Sequence, residues 1–191
     1  MFQKQMQGED EISFLEAKYK SARLNLLIII ACTAINIVMI SLGVDMFFLF
    51  SAFVPYILIL YGNLLCGKLP PDYYEGEDMS TLEFFPDTFL WGMIAVAVVI
   101  LLLYLLTWFF SKNEEGNWLL FGLVLYAIDF IAMVLLFGVQ LAMLVDYIIH
   151  GLGIGILASG VIAGIKRRKI LRARRAAART PQPQSSYLED E

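Results

Sequence analysis

Residues 118–165 read WLLFGLVLYAIDFIAMVLLFGVQLAMLVDYIIHGLGIGILASGVIAGI, in which two apolar runs, 118–138 and 141–165, follow each other almost without a break. Each run is close to the ~20 residues that cross a ~30 Å hydrocarbon core as a helix. So short a link predicts that the two helices are antiparallel neighbours. The stretch therefore predicts a transmembrane helical hairpin.

Two aspartates and one histidine lie inside these two runs. Asp129 is nine residues before Gly138, and His150, the single histidine of the chain, is nine residues after Leu141. At ~1.5 Å per residue, both are expected about 13 Å from the turn of the hairpin. Asp146 lies one helical turn from His150 on the same face. Because an ionisable group inside a bilayer costs roughly 2.5–3.5 kcal/mol on insertion scales, this cluster is the candidate functional site.

The cluster of Asp129, Asp146 and His150 has three chemical interpretations. It can pass protons, because histidine titrates near neutrality. It can hold a divalent metal, with one imidazole, two carboxylates and a water as ligands, although three protein ligands are a weak candidate set. It can also be a structural clamp in which His150 donates a hydrogen bond to Asp129. The leading functional hypothesis is proton or cation transport, and the alternative is a non-catalytic scaffold or accessory subunit.

Three further apolar runs precede the hairpin. The composition is 59% hydrophobic and 17% charged, whereas a soluble domain is about half apolar and a quarter charged. Pro55 lies near the centre of the second run and is expected to kink a helix there. The sequence predicts an all-α membrane bundle of about five hydrophobic helices, from the runs 24–42, 46–65, 89–110, 118–138 and 141–165.

The charges predict an orientation and expose a conflict within it. Residues 166–179 carry eight basic side chains and no acidic one, so the C-terminus is expected in the cytoplasm. The acidic loop 67–88 is expected outside. Five full spans then place the N-terminus outside, although Lys18, Lys20 and Arg23 favour the inside. Four spans plus one re-entrant or interfacial segment, formed by the second run, satisfy both demands.

The whole chain divides into four predicted regions. Four residues of the N-terminal region share one helical face and predict an amphipathic helix in the membrane interface, with a solvated tail as the alternative: Ile12, Leu15, Tyr19 and Ala22. Residues 166–179 are expected to extend the last helix into the cytoplasm and to contact anionic lipid headgroups. The regions are an amphipathic helix (1–23), a transmembrane domain (24–165), a basic extension (166–179) and a disordered tail (180–191).

Glycines in the last run form two GxxxG pairs, Gly151 with Gly155 and Gly160 with Gly164. This spacing lets a neighbouring helix approach closely. The pairs predict helix contacts, either between the subunits of a homo-oligomer or within one subunit.

The sequence contains no motif of a known catalytic centre. It has no Walker loop, GxSxG, HExxH or dinucleotide-binding fingerprint. Cys32 and Cys66 lie in apolar runs without a CxxC pattern and are interpreted as small apolar residues. The interpretation leans against an enzyme, and no cofactor and no nucleic-acid partner is predicted.

The stretch TAINIVMISLGVDMFFLFSAFVPYILILYG (33–62) is followed by an acidic loop and three more apolar runs. With this order, residues 12–170 resemble a group of uncharacterised small bacterial integral membrane proteins, and FLFSAFVPY is the most distinctive piece. The resemblance implies an all-helical fold in the bacterial cytoplasmic membrane. It implies no activity.

Overall fold

The computed structural model describes residues 2–44, 46–74, 82–113 and 117–179. Within these residues the chain is all-α, as the sequence predicts, and contains no strand. Short 3-10 turns lie at Pro71–Tyr74, Ser111–Asn113 and Leu141–Met143. The five α-helices are α1 (Phe2–Ser41), α2 (Phe53–Leu65), α3 (Asp87–Phe110), α4 (Trp118–Phe137) and α5 (Leu144–Arg179).

Four of the five helices, α1, α3, α4 and α5, are long and apolar enough to cross a membrane. The fifth, α2, has only 13 residues. At ~1.5 Å per residue it is about 20 Å long, which is shorter than a ~30 Å hydrocarbon core. Composition and helix lengths are therefore those of a multi-pass membrane protein, and α2 requires a separate account.

The chain turns back on itself between α1 and α2. After Ser41 it leaves the helix and runs back alongside it, so that the Asn36 side chain accepts the N–H of Phe48 (2.8 Å) and donates to its carbonyl (3.0 Å). Further along, the N–H of Ala52 donates to Thr33 Oγ1 (2.7 Å). Because Thr33 is eight residues before Ser41, Ala52 lies about 12 Å inside the bundle.

From this depth α2 returns to the end of the bundle from which the chain came. A buried cluster joins its C-terminal half to the end of α1 and the start of α3 through Ile40, Ile59, Cys66 and Leu90. Residues 42–65 thus form a re-entrant hairpin. Of the two predicted arrangements, the structure has four long helices plus one re-entrant segment, with the start of α1 and the end of α5 at the same side of the bundle.

Pro55 does not kink a membrane-spanning helix, and that prediction was wrong. It is the third residue of α2, in the first turn. Proline is tolerated there because the first N–H groups of a helix have no partner within the helix. The helix begins just before the proline rather than bending around it.

The longest contact in the bundle is the antiparallel packing of α1 on α5. Buried residues of α1 recur at spacings of three and four, as in a coiled-coil seam: Leu15, Tyr19, Ala22, Leu26, Ile29, Thr33 and Asn36. Small residues of α5 face this seam and let the two helices approach closely. The segment 2–23 is continuous with the first long helix and runs beside the basic extension of α5.

Polar contacts join the helices where α1 and α5 leave the apolar part of the bundle. The Tyr19 hydroxyl donates to the Ser111 carbonyl (2.9 Å), and Arg23 Nε donates to Ser111 Oγ (2.9 Å). Glu16 pairs with Lys20 (2.6 Å) and with Arg167 of α5 (3.1 Å). The hydrogen bond and charge of Lys20, together with the charge of Arg167, hold the pKa of Glu16 below its usual range. We call this end of the molecule the basic end.

Candidate functional site

Asp129 lies near the middle of α4, and its side chain is 4% exposed. Its two carboxylate oxygens accept the backbone N–H groups of Phe53 (2.8 Å) and Val54 (2.9 Å). These donors belong to the first turn of α2. The carboxylate therefore makes its hydrogen bonds with the re-entrant helix. Its neighbour across the predicted hairpin, His150, is a second contact.

The start of α2 explains why a carboxylate is needed there. The first four N–H positions of a helix have no acceptor within it. Ala52, at the N-cap, has no side-chain oxygen, and its own N–H is taken by Thr33. Pro55 has no N–H. The two remaining groups, on Phe53 and Val54, are both accepted by Asp129, which acts as an N-cap supplied by another helix.

His150 of α5 is fully buried beside this contact. Its Nδ1 lies 2.9 Å from the backbone carbonyl of Asp146, and its Nε2 lies 3.5 Å from Asp129 Oδ2. Because a carbonyl only accepts hydrogen bonds, we assign a proton to Nδ1. Nε2 has no hydrogen-bond partner in the described part of the chain. The predicted meeting of Asp129 and His150 across the hairpin is thus confirmed.

Aromatic side chains of α4 cover the imidazole ring. Tyr126 stacks on it with ring centroids 5.1 Å apart and planes at 12°, and Phe130 lies 6.1 Å away at 24°. Such faces stabilise a cationic ring. A ring protonated on both nitrogens donates toward both neighbouring acceptors, whereas the neutral ring points its Nε2 lone pair at the carboxylate. The chemical character of the contact between His150 Nε2 and Asp129 therefore depends on whether Nε2 carries a proton.

The side chain of Asp146 does not join the cluster, contrary to the prediction. Only its backbone carbonyl contacts His150, and its carboxylate makes no hydrogen bond or ion pair with any described residue. Asp146 is the third residue of α5, where a negative charge is favourable next to the helix N-terminus. Across residues 9–44, 46–74, 82–112 and 117–179, no three His, Cys, Asp or Glu side chains are placed to hold a metal ion. A metal site at Asp129 and His150 therefore lacks the third ligand that the prediction assigned to Asp146.

The residues that hold the re-entrant backbone were not predicted as site residues. Thr33 and Asn36 bind it from α1, and Ser51 Oγ accepts a hydrogen bond from Asn36 Nδ2 (2.7 Å). A signal was present, because hydroxyl and amide groups inside apolar runs need partners within a membrane. Apart from the contact between Asn36 and Ser51, however, their partners in this segment are backbone groups, and a sequence pattern does not identify those.

The four glycines of the GxxxG pairs have two different environments. A Cβ on Gly160 would collide with the Cβ of Ala22, and one on Gly164 would lie 2.9 Å from the Tyr19 ring. A Cβ on Gly151 or Gly155 would have no atom within 4 Å. The pair Gly160 and Gly164 therefore packs against α1 within the subunit, and the pair Gly151 and Gly155 faces outward.

A cavity of about 380 Å³ lies at the end of the bundle opposite the basic end. It is lined by the end of α1, by Tyr56, Leu60 and Asn63 of α2, and by residues 68–70 with Tyr73. Neither Asp129 nor His150 lines it. Comparison with protein-family models, with curated proteins and with solved structures found no match to this chain.

Proposed function

We propose that this chain is a non-catalytic scaffold or accessory subunit of the bacterial cytoplasmic membrane, in which Asp129 and His150 hold the re-entrant helix in place. The observation that carries the proposal is that both oxygens of Asp129 accept N–H groups of α2. The resemblance to small bacterial membrane proteins supports the location.

The physical need for this contact is large. A polar group without a hydrogen bond costs roughly 2–7 kcal/mol in an apolar medium, and a non-helical backbone at membrane depth is tolerated only where its groups are satisfied. A buried carboxylate itself requires a partner, which the positive N-terminus of α2 and the nearby imidazole provide. The pair thus has a sufficient structural reason for its position, and no chemistry needs to be added.

Proton or cation transport is the second candidate. Transporters commonly place the N-terminus of a broken helix near the middle of the bilayer, as α2 does here. In addition, His150 Nε2 faces Asp129 without a hydrogen-bond partner in the described residues. Under this hypothesis the proton is exchanged at Nε2, because Nδ1 is occupied by the Asp146 carbonyl.

A flux measurement separates the two candidates. We expect the purified protein in liposomes to show no proton or cation flux above protein-free liposomes, across a pH gradient and with a panel of monovalent and divalent ions. His150→Gln is the informative variant, because it removes the titratable ring and leaves both Asp129 hydrogen bonds to α2 in place. Flux in the wild type that is lost in His150→Gln but kept in Asp146→Asn would overturn the scaffold proposal in favour of transport.

The orientation supported best has both ends in the cytoplasm. Eight basic residues in 166–179 and three next to the start of the apolar part of α1 lie at the same, basic end. In a background without Cys32 and Cys66, single cysteines at Glu11 and Lys169 should be protected together from an impermeant reagent in intact cells. A cysteine at Tyr73 should be labelled. Labelling of position 11 but not 169 would restore five spans.

The exposed surfaces support two kinds of partner besides the surrounding lipid bilayer. The outward-facing Gly151 and Gly155 support a homo-oligomer, since they offer a close approach that no described residue of the same subunit uses. The basic extension supports contact with anionic headgroups, since six of its eight bases are exposed. The lipid bilayer covers the apolar faces of the long helices.

A further inference from the structure

Two N–H donors of α2 and one imidazole nitrogen of α5 converge on the carboxylate of Asp129. The N–H groups of Phe53 and Val54 lie 2.8 and 2.9 Å from its oxygens, and His150 Nε2 lies 3.5 Å from Oδ2. The first two stand at a helix N-terminus, which carries about half a positive charge. This is how proteins bind small anions at helix N-termini.

His150 is a second observation, independent of the helix end. Its side chain is completely buried, its Nε2 has no hydrogen-bond partner in the described residues, and that nitrogen is aimed at the same carboxylate. The phenols of Tyr104 on α3 and Tyr126 on α4 also interact electrostatically with Asp129. A phenol is neutral or anionic and supplies no positive charge, so the helix end and the imidazole determine the ligand class.

We propose that the N-terminus of α2 and His150 form an anion-binding site, which the Asp129 carboxylate fills in the native chain and which a small monocarboxylate of the formate type fills when that carboxylate is removed. The inference rests on the structural role proposed for Asp129 and deepens it. An anion in this position satisfies the two N–H groups as the aspartate does. It therefore holds α2 in place without a covalent link to α4, so that the re-entrant hairpin can be stabilised by a ligand.

Replacement of the carboxylate tests the site. Asp129→Gly removes the whole side chain and leaves space for formate, whereas Asp129→Asn fills the same space with an amide that accepts only one of the two N–H groups. We expect sodium formate to reverse most of the decrease in thermal midpoint that Asp129→Gly causes, and the effect should saturate as the formate concentration rises. Sodium sulfate at equal ionic strength should not, because sulfate is larger and doubly charged. Formate should leave the thermal midpoints of Asp129→Asn and of the wild type unchanged.

The single histidine of the chain provides a readout that does not depend on stability. In protein labelled with ¹⁵N-histidine, formate should shift the Nε2 resonance of His150 in Asp129→Gly and leave it unchanged in Asp129→Asn. If Asp129→Gly does not fold, Asp129→Ala, which also removes both carboxylate oxygens and favours the helix more than glycine does, should show the same shift.

Absence of a formate-dependent shift in both Asp129→Gly and Asp129→Ala would overturn the anion site. An equal effect of formate on all variants and the wild type would do so as well. Ion flux in liposomes would instead remove the scaffold proposal and leave the anion site standing, so the two failures are distinguishable.

Discussion

Replacing Asp129 by alanine should lower the free energy of unfolding by about 3–5 kcal/mol, which is the usual range when one partner of a buried charged contact is removed. The substitution leaves the N–H groups of Phe53 and Val54 without an acceptor inside the bundle. It also leaves His150 Nε2 facing an empty position. We expect a lower thermal midpoint in mild detergent and faster proteolysis of the re-entrant hairpin 42–65.

The matched control is Asp146→Ala. This residue is an aspartate of the same predicted hairpin, but its carboxylate makes no hydrogen bond or ion pair with any described residue. Its loss removes only a favourable charge in the first turn of α5, worth about 1 kcal/mol or less. Equal destabilisation by the two substitutions would contradict the assignment of Asp129 as the cap of α2.

The second large effect is expected at Gly160. Leucine at this position must displace Ala22, whose Cβ is fixed to the backbone of α1, so the longest helix contact of the molecule is forced apart. Overpacking of a core costs about 1–3 kcal/mol and occasionally more, and we expect Gly160→Leu at or above the upper end of that range. The measurement is the thermal midpoint together with the yield of monodisperse protein in detergent.

Gly155→Leu is the control, since a Cβ there meets no atom of the described residues within 4 Å. It should leave the thermal midpoint of the subunit near that of the wild type, because leucine also favours the helix more than glycine does. If the outward face joins two subunits, the same substitution reduces the oligomer to a smaller species in mild detergent. An unchanged particle size in Gly155→Leu would refute the proposed homo-oligomer.

The all-α architecture and the depth of the candidate site were predictable because both follow from constants of the helix. Apolar runs of bilayer length indicate helices, and a fixed rise per residue gives equal depths to residues equally far from a tight turn. Asp129 and His150 meet for that reason. Asp146 was misplaced because the helical period predicts a shared face, but not that His150 would bind the carbonyl of Asp146 rather than its side chain.

The sequence by itself determined which segments are apolar, that they are helical and where ionisable groups lie along them, since each of these is a local property. Only the tertiary structure decided that the second run re-enters the bundle. Ala52 and Pro55 provide no side-chain acceptor for the first N–H groups of α2, and this indicates a helix start inside the bundle only when the distant acceptor is known. That acceptor, Asp129, lies 75 and 76 residues from the N–H groups it binds. Backbone donors are the same at every non-proline position, so no residue pattern marks which of them a distant carboxylate will accept.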